Sequence, residues 1–370
     1  MYKFPRIREN EYSISDFIIA LVVVILMILG LVTLRSVVLD TKEAPRFQKQ
    51  VIWDLLALSI MVYVIVEKEI RIKTLGRIAY VLSVILLVLV LLVGKTVYGA
   101  RRWIDVGPFD LQPSELFKLS LVLMLSSTLN DPKNEGTLRG FLKSVLILSP
   151  AILVFLEPDL GMTILLFFIW FVMLFSSRMK LKYLLWTMGI TIASAPLAFF
   201  TLLKDYQRAR ILAVLNPDKH LHSAAYNVLM SKAAIANGGV RGTGYGLGTI
   251  TNMRVVPMQH TDFIFSAYAE QFGLLGTLFL LGLYGTILVL ALAKLDRLKD
   301  NFWKYVTVGS CGVFAFHIFE NVGMNIGLLP VTGIPLPFLS YGGTSTIIFA
   351  ALVGLIIKAR VVSKEPRQVE

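Results

Sequence analysis

The stretch FIIALVVVILMILGLVTL, residues 17–34, decides the fold class because it contains no charged side chain. About 20 such residues cross the hydrocarbon core of a bilayer as an α-helix. The stretch is too long for the core of a signal peptide, and no small-x-small cleavage site follows it. We therefore predict a retained membrane-spanning helix.

The composition of the whole chain indicates several such helices. Of its 370 residues, 56% are hydrophobic and 16% are charged, whereas about a quarter are charged in soluble domains. The mean hydropathy is +0.72, and the single cysteine, Cys311, excludes an internal disulfide. A soluble enzyme, a disordered protein and a disulfide scaffold are therefore excluded, and an all-α polytopic membrane protein is predicted.

Ten apolar segments follow one another in what we interpret as a single membrane domain, residues 1–370. The eighth is long enough to be tilted, or broken near Gly273 and Gly276. Between spans 7 and 8, residues 204–262 are predicted to form a large extracytoplasmic loop. The expected spans are about 17–34, 51–66, 75–93, 115–129, 141–156, 161–177, 182–203, 263–293, 304–328 and 342–358.

The net charge of +12 is explained by membrane topology rather than by nucleic-acid binding. With a cytoplasmic N-terminus, the cytoplasmic segments and adjoining helix ends hold 21 of the 36 Lys and Arg residues. Both termini are therefore expected in the cytoplasm, and no nucleic-acid partner is expected. The remaining basic residues cluster on the outer side, which fits either an anionic substrate or lipid headgroup, or a solvated loop surface.

Asp262 is the leading candidate for a reactive group, since it stands where a polar loop becomes an apolar span. It is either a helix N-cap or a carboxylate at the rim of a cavity, where partial desolvation would raise its pKa and make it a base. Ser266 and Glu270 follow at i+4 and i+8 and extend one polar stripe. The sequence does not choose between the two interpretations.

Other polar residues lie at the ends of predicted spans. Glu115 and Lys118 share one helix face and form either an internal ion pair or part of the cavity that holds Asp262. Arg102 stands beside the interfacial Trp103. Asp159 lies in an acidic outer turn and is a candidate ligand for a divalent cation.

Two further patterns have a structural interpretation that is favoured over a functional one. The glycine-dense stretch 238–248 lacks the spacing of a phosphate-binding loop, so an irregular turn is favoured. His317, Asn321 and Asn325 repeat every four residues in span 9, which favours a hydrogen-bonding seam between helices.

An ordered set of motifs resembles the SEDS family (shape, elongation, division and sporulation) over nearly the whole chain. Within that family the chain is more similar to the elongation-type members, through SKAAIA (231–236) and AYAEQFG (267–273). It departs from the family pattern at Met230 and Met258. The motifs are GARRWID (99–105), QPSE (112–115) with Lys118, EPDLG (157–161), DYQRAR (205–210), HTDFIF (260–265) and PLPFLSYGG (335–343).

The resemblance implies a peptidoglycan glycosyltransferase that polymerises lipid II at the outer face of the bacterial cytoplasmic membrane. It implies that Asp262 is the essential carboxylate, that a divalent cation (Mg²⁺ or Mn²⁺) takes part, with Asp159 as its candidate ligand, and that the partners are a class B penicillin-binding protein and other elongation proteins. The expected substrate-binding residues are Glu115, Lys118, Arg102, Arg208, Arg210, Lys232 and Ser266.

Two alternatives remain at this point. A transporter that flips the lipid-linked precursor would also need a membrane cavity with buried polar groups. A non-catalytic scaffold of the cell-wall machinery would need neither a base nor a substrate site.

Overall fold

The computed structural model describes residues 12–39, 41–97, 100–107, 109–215 and 224–362. Gly99 of the first motif, part of the predicted outer loop and both chain termini lie outside these ranges. The described helices are α1 Ile14–Val38, α2 Pro45–Val66, α3 Glu69–Val93, α4 Pro113–Leu129, α5 Leu138–Leu148, α6 Ala151–Leu156, α7 Leu160–Ser176, α8 Leu181–Thr201, α9 Asp205–Leu215, α10 Ala224–Gly238, α11 Thr249–Met253, α12 Ile264–Leu292, α13 Asn301–Asn325 and α14 Gly343–Val362, with a 3₁₀ turn at Leu295–Arg297.

The predicted all-α polytopic class is confirmed, and each predicted span coincides with helix. The fifth span is divided into α5 and α6. In the described residues, seven helical stretches are long and apolar enough to cross a membrane. Since α4 and α7 have only 17 residues each and α13 is more polar, the count of ten spans stays a prediction.

A small antiparallel sheet in the connection between α3 and α4 was not predicted. It consists of β1 Lys95–Val97, β2 Ala100–Val106 and β3 Phe109–Leu111, in the order β1-β2-β3. Val106 pairs with Phe109 across the second turn. The sheet matters for function because its central strand includes Arg102.

The helices divide into a buried centre and a peripheral set. In the most apolar 18-residue stretch of α14, 89% of the residues are buried, whereas in that of α8 only 6% are buried. α14 packs along α2, and α13 lies against α4, α7, α12 and α14. The central helices α13 and α14 therefore form a fixed frame for the outer loops, while α8 presents its apolar surface outward.

α12 is broken at Gly273, as the sequence predicted. Gly273 has φ 65° and ψ −165°, a conformation that excludes most side chains. The glycine-dense stretch packs into the break, where the Thr243 amide donates to the Glu270 carbonyl (2.9 Å) and the Leu274 amide donates to the Gly239 carbonyl (2.9 Å). A Cβ on Gly273 would lie 2.3 Å from the Gly242 nitrogen. The stretch is thus an irregular turn, as favoured from the sequence.

Candidate active site

A cavity of about 690 Å³ lies among the connection between α1 and α2, strand β2, helix α9 and the loops before α12 and α14. Its lining is mixed, and its polar part includes Glu43, Arg102, Arg210, Arg254, His260 and Asp262. The cavity thus combines a candidate base with three guanidinium groups, and the residues come from distant parts of the sequence.

The backbone of Asp262 is held by α13. Its carbonyl oxygen accepts hydrogen bonds from the Nδ2 atoms of Asn321 (3.0 Å) and Asn325 (3.1 Å). Asn321 also donates to the Ile334 carbonyl at 2.8 Å. The polar repeat in span 9 is therefore a hydrogen-bonding seam, and its role is to fix the loop that contains Asp262.

The two residues before Asp262 are held by the segment that leads into α14. The Ser340 hydroxyl donates to the Thr261 carbonyl at 2.7 Å, and the Tyr341 amide donates to the His260 carbonyl at 2.9 Å. With the bonds from α13, three consecutive carbonyl groups are fixed. Because the main chain is fixed, the direction of the Asp262 side chain is restricted.

The Asp262 side chain faces the cavity instead of capping α12, whose N-cap residue is Phe263. Asp262 is half-buried, and burial raises the pKa of its carboxyl to about 6, although a hydrogen bond from the Thr261 side chain and the guanidinium groups of Arg210 and Arg102 oppose the increase. A carboxylate with this pKa is ionised at neutral pH and more basic than an exposed one. The arrangement suits a general base.

Two of the three arginines in the cavity wall, Arg102 and Arg210, lie near Asp262. In Arg102, Nη1 lies 3.4 Å from Asp159 Oδ2 and Nε donates to the Glu157 carbonyl at 3.3 Å. In Arg210, Nη1 donates to the Val331 carbonyl at 3.0 Å. Both side chains are oriented by neutral carbonyls as well as by charge, so they can stabilise an anion in the cavity.

The acidic turn at the edge of this wall does not offer a cation site. Asp159 is paired with Arg102 and accepts a hydrogen bond from the Met162 amide at 3.1 Å as the N-cap of α7. Glu157 is fully buried, and burial raises the pKa of its carboxyl to about 9. No group of three His, Cys, Asp or Glu residues in the described ranges is placed to hold a metal ion. The residues therefore do not fit the predicted Mg²⁺ or Mn²⁺ site at Asp159.

Glu115 and Lys118 form the internal ion pair that was one of the two interpretations. Their charged atoms are 2.7 Å apart and both side chains are buried. Lys118 Nζ also lies 3.1 Å from His317 Nε2, and His317 Nδ1 lies 2.9 Å from the Pro335 carbonyl. Neither Glu115 nor Lys118 is among the described lining residues of the cavity, and each charge is compensated by the other inside the bundle.

Three other predicted substrate-binding residues also lie outside the described cavity lining. Ser266 is buried and donates to the Phe263 carbonyl of its own helix at 2.8 Å. Arg208 donates to the Leu203 carbonyl at 3.0 Å; residues two apart in a helix point in different directions, which separates it from Arg210. Lys232 is exposed on α10. None of them contacts the cavity in this structure.

A polar cluster on the opposite wall was missed by sequence reasoning. His260 Nδ1 lies 3.0 Å from Glu43 Oε2, and Arg46 contacts His260 Nε2. Burial and the Arg46 charge lower the pKa of His260 to about 4, so its ring is neutral at pH 7. The i, i+3 spacing of Glu43 and Arg46 could have predicted an ion pair between them. It could not have predicted their contacts with His260, which is more than 200 residues away in the sequence.

Comparisons with known proteins agree with this architecture. The family model described as "Cell cycle protein", for FtsW, RodA and SpoVE, matches residues 13–365. The chain therefore belongs to this family of polytopic membrane proteins, as its motifs predicted. It is 36% identical over 279 residues to the Escherichia coli K12 protein named peptidoglycan glycosyltransferase MrdB, covering 75% of each chain. It is 27% identical to the Treponema pallidum peptidoglycan glycosyltransferase RodA, covering 95% of this chain and 98% of the relative.

Solved structures share the fold. One is a chain from a peptidoglycan synthase complex that coordinates polymerization and crosslinking, with a TM-score of 0.81 and 30% identity over 96% of this chain and 99% of that chain. Another is the rod shape determining protein RodA of Thermus thermophilus, with a TM-score of 0.72 and 28% identity over 97% and 99% of the two chains.

Proposed function

We propose that this protein is a peptidoglycan glycosyltransferase that polymerises lipid II into β-1,4 glycan strands during cell elongation. The observation on which the proposal rests is a half-buried carboxylate, Asp262, in a cavity that also contains Arg102 and Arg210. Relatives across the family are named for the same activity. The residues supply the two elements that this reaction needs, a base and cations for a diphosphate.

The chemistry follows from the substrate. The donor has undecaprenyl diphosphate α-linked to C1 of its sugar, and the product linkage is β, so the centre is inverted and one base suffices. Asp262 takes the proton of the acceptor 4-hydroxyl while the oxygen of that hydroxyl attacks C1 of the donor sugar. The bond between C1 and the diphosphate oxygen breaks, and Arg102 and Arg210 stabilise the charge that develops on the departing diphosphate.

The raised pKa of Asp262 supports this role. A base works best when its pKa approaches the working pH without exceeding it, because it is then both ionised and basic. A pKa of about 6 meets both conditions at neutral pH. Proton transfer by a positioned group contributes about 10²- to 10⁴-fold in rate.

The orientation proposed is that of a bacterial cytoplasmic membrane protein with both termini in the cytoplasm and the cavity on the extracytoplasmic side. The distribution of Lys and Arg supports it. The proposed partners are a class B penicillin-binding protein, which is a transpeptidase, and other elongation proteins. A structural neighbour belongs to a complex that couples polymerization to crosslinking, which supports such a partner. The divalent cation stays a prediction, and no step is assigned to it.

Purified protein incubated with lipid II tests the proposal. We expect glycan strands on a gel for the unmodified protein and for Asp110→Asn, a matched control at an exposed carboxylate of the small sheet. Asp262→Asn should give none. Polymer from Asp262→Asn at the normal rate would contradict the assignment of the base. Transfer of lipid II across vesicles without polymer would instead indicate a flippase, and no activity of either kind from folded protein, alone or with its partner, would indicate a scaffold.

A further inference from the structure

The loop Val331–Gly333 contacts Arg210 and lies beside the Asp262 side chain. The Val331 carbonyl accepts the hydrogen bond from Arg210 at 3.0 Å. Gly333 faces the proposed base, since a Cβ built on it would lie 3.5 Å from Asp262 Oδ2. Val331, Thr332 and Gly333 all line the cavity. A shift of this loop would therefore move Arg210 and change the space beside Asp262.

Thr332 anchors the loop. Its hydroxyl donates to Glu320 Oε1 on α13. Its other side is pressed against the start of α7, because a Cβ on Gly161 would lie 2.7 Å from Thr332 Cβ. The side chain is thus held between two helices, and its hydroxyl has a defined acceptor.

The burial of Glu320 at its position in α13 costs folding free energy. Its side chain is buried in the middle of a largely apolar bundle, with 4% of its surface exposed. Its second oxygen, Oε2, has no hydrogen-bond partner among the residues that the structure describes. A buried carboxyl group with half of its bonding capacity unused disfavours folding, and an apolar residue would pack at lower cost. Polar groups retained at membrane depth mark functional positions.

Glu320 also stands next to the residue that fixes the base. Asn321 donates to the carbonyl groups of Asp262 and Ile334. One turn of α13 therefore holds the cavity loop from two sides, at Thr332 through Glu320 and at Ile334 through Asn321. The same turn holds the main chain of Asp262. The base and the loop it faces are positioned from a single rigid element.

We propose that Glu320 is a positioning residue, which acts through Thr332 and the Val331–Gly333 loop to hold Asp262 and Arg210 in register for proton abstraction and departure of the diphosphate. Glu320 does not touch the substrate itself. This inference rests on the proposed glycosyltransferase function and adds a group outside the cavity lining to its machinery.

Lipid II polymerisation by the purified full-length protein tests this role, with kcat and KM measured separately. Thr332→Val and Glu320→Leu should each lower kcat about tenfold, because small misplacement of reacting groups is costly, and leave the KM for lipid II within about twofold. Thr332→Ser keeps the hydroxyl and should restore the rate. The double variant should be no slower than the slower single variant, since each change removes the same hydrogen bond between Thr332 and Glu320.

The controls separate this inference from a folding defect and from the proposed function. Thr286→Val makes the same chemical change on an exposed face of α12, where the hydroxyl donates only to the Gly282 carbonyl, and should keep the normal rate. Thr332→Val leaves the buried Glu320 carboxyl without its donor and is expected to lower the unfolding temperature, so all rates are compared per folded molecule. A normal kcat for Thr332→Val or Glu320→Leu, losses that multiply in the double variant, or a loss confined to KM would overturn the inference. Full activity of Asp262→Asn in the same assay would instead overturn the proposed function.

Discussion

Asp262 and Glu270 are carboxylates eight residues apart on one predicted polar stripe, yet their surroundings differ completely. Glu270 is fully buried and accepts hydrogen bonds from Asn237 Nδ2 (2.7 Å), the Ile250 amide (2.8 Å) and the Thr251 amide (2.8 Å). Asp262 is half-buried and faces the cavity. The first carboxylate is saturated by donors and organises the glycine-dense turn. The second receives, among the described residues, a side-chain hydrogen bond from Thr261 alone and is open to the cavity.

The comparison shows that residue type and spacing do not identify a reactive carboxylate. A carboxylate with several fixed donors is stabilised as the anion and is a poor base. A carboxylate that is desolvated with few donors is a better base, because its charged form is less stabilised. The difference between the two sites is made by residues far away in the sequence.

The largest effect is expected at Asp262. Asp262→Asn should lower the rate of glycan formation about 10³-fold, within the usual range for loss of a general base. Its unfolding temperature should not fall, because burial already disfavours the charge that the substitution removes. Polymer gels and thermal unfolding of the same preparation measure the two quantities. A large loss of stability would mean that Asp262, like Glu270, is structural.

Glu270→Gln should have the opposite profile. The Ile250 amide donates to Oε1 and the Thr251 amide to Oε2, so the NH2 group of the glutamine must face one of these two donors. We expect a loss of about 3 kcal/mol in the free energy of unfolding, measured as a lower unfolding temperature. The rate per folded molecule should be normal. A stable variant without activity would show that Glu270 belongs to the reaction.

The glycine turn around Glu270 offers a matched pair of smaller changes. A Cβ on Gly242 would lie 2.1 Å from the Gln271 carbonyl oxygen, whereas one on Gly239 meets nothing within 4 Å. Both have positive φ. Gly239→Ala should cost about 1 kcal/mol from backbone strain alone, and Gly242→Ala about 3 kcal/mol. Equal unfolding temperatures for the two variants would contradict the close packing of the turn against α12.

The smallest effect concerns pH. Because the pKa of Asp262 is raised to about 6, the base form is lost as the pH falls through 6. The initial rate should therefore rise from pH 5 to a plateau above pH 7, with about a tenth of the plateau rate at pH 5. The Arg210 charge lowers this pKa, so Arg210→Gln should move the midpoint to higher pH. A midpoint near 4 in both proteins would contradict a desolvated base.

The predictions from sequence succeeded where local physics was decisive. Apolar length predicted the helices, and glycine density predicted an irregular turn. The long eighth span was expected to be tilted, or broken near Gly273 and Gly276, and the structure shows the break at Gly273. In each case the determining property is confined to a few neighbouring residues, such as a missing Cβ or a continuous apolar run.

The structure brings together only part of the predicted set of site residues. Asp262, Arg102 and Arg210 meet in the cavity, whereas Glu115 and Lys118 form a buried ion pair outside its described lining. A spacing of three residues shows that two side chains share a helix face, and it does not show what that face contacts. The cluster of His260 with residues of the loop after α1 was missed for the same reason.

By itself, the sequence determined the membrane class, the helices and the family of this protein, because hydrophobic length and ordered motifs are properties of the chain. Only the tertiary structure decided which carboxylate is open to a cavity, which is saturated, and that Glu320 holds the loop facing Asp262. Desolvation and hydrogen bonding depend on what surrounds a group in space. For these residues the surroundings come from helices separated by long stretches of chain.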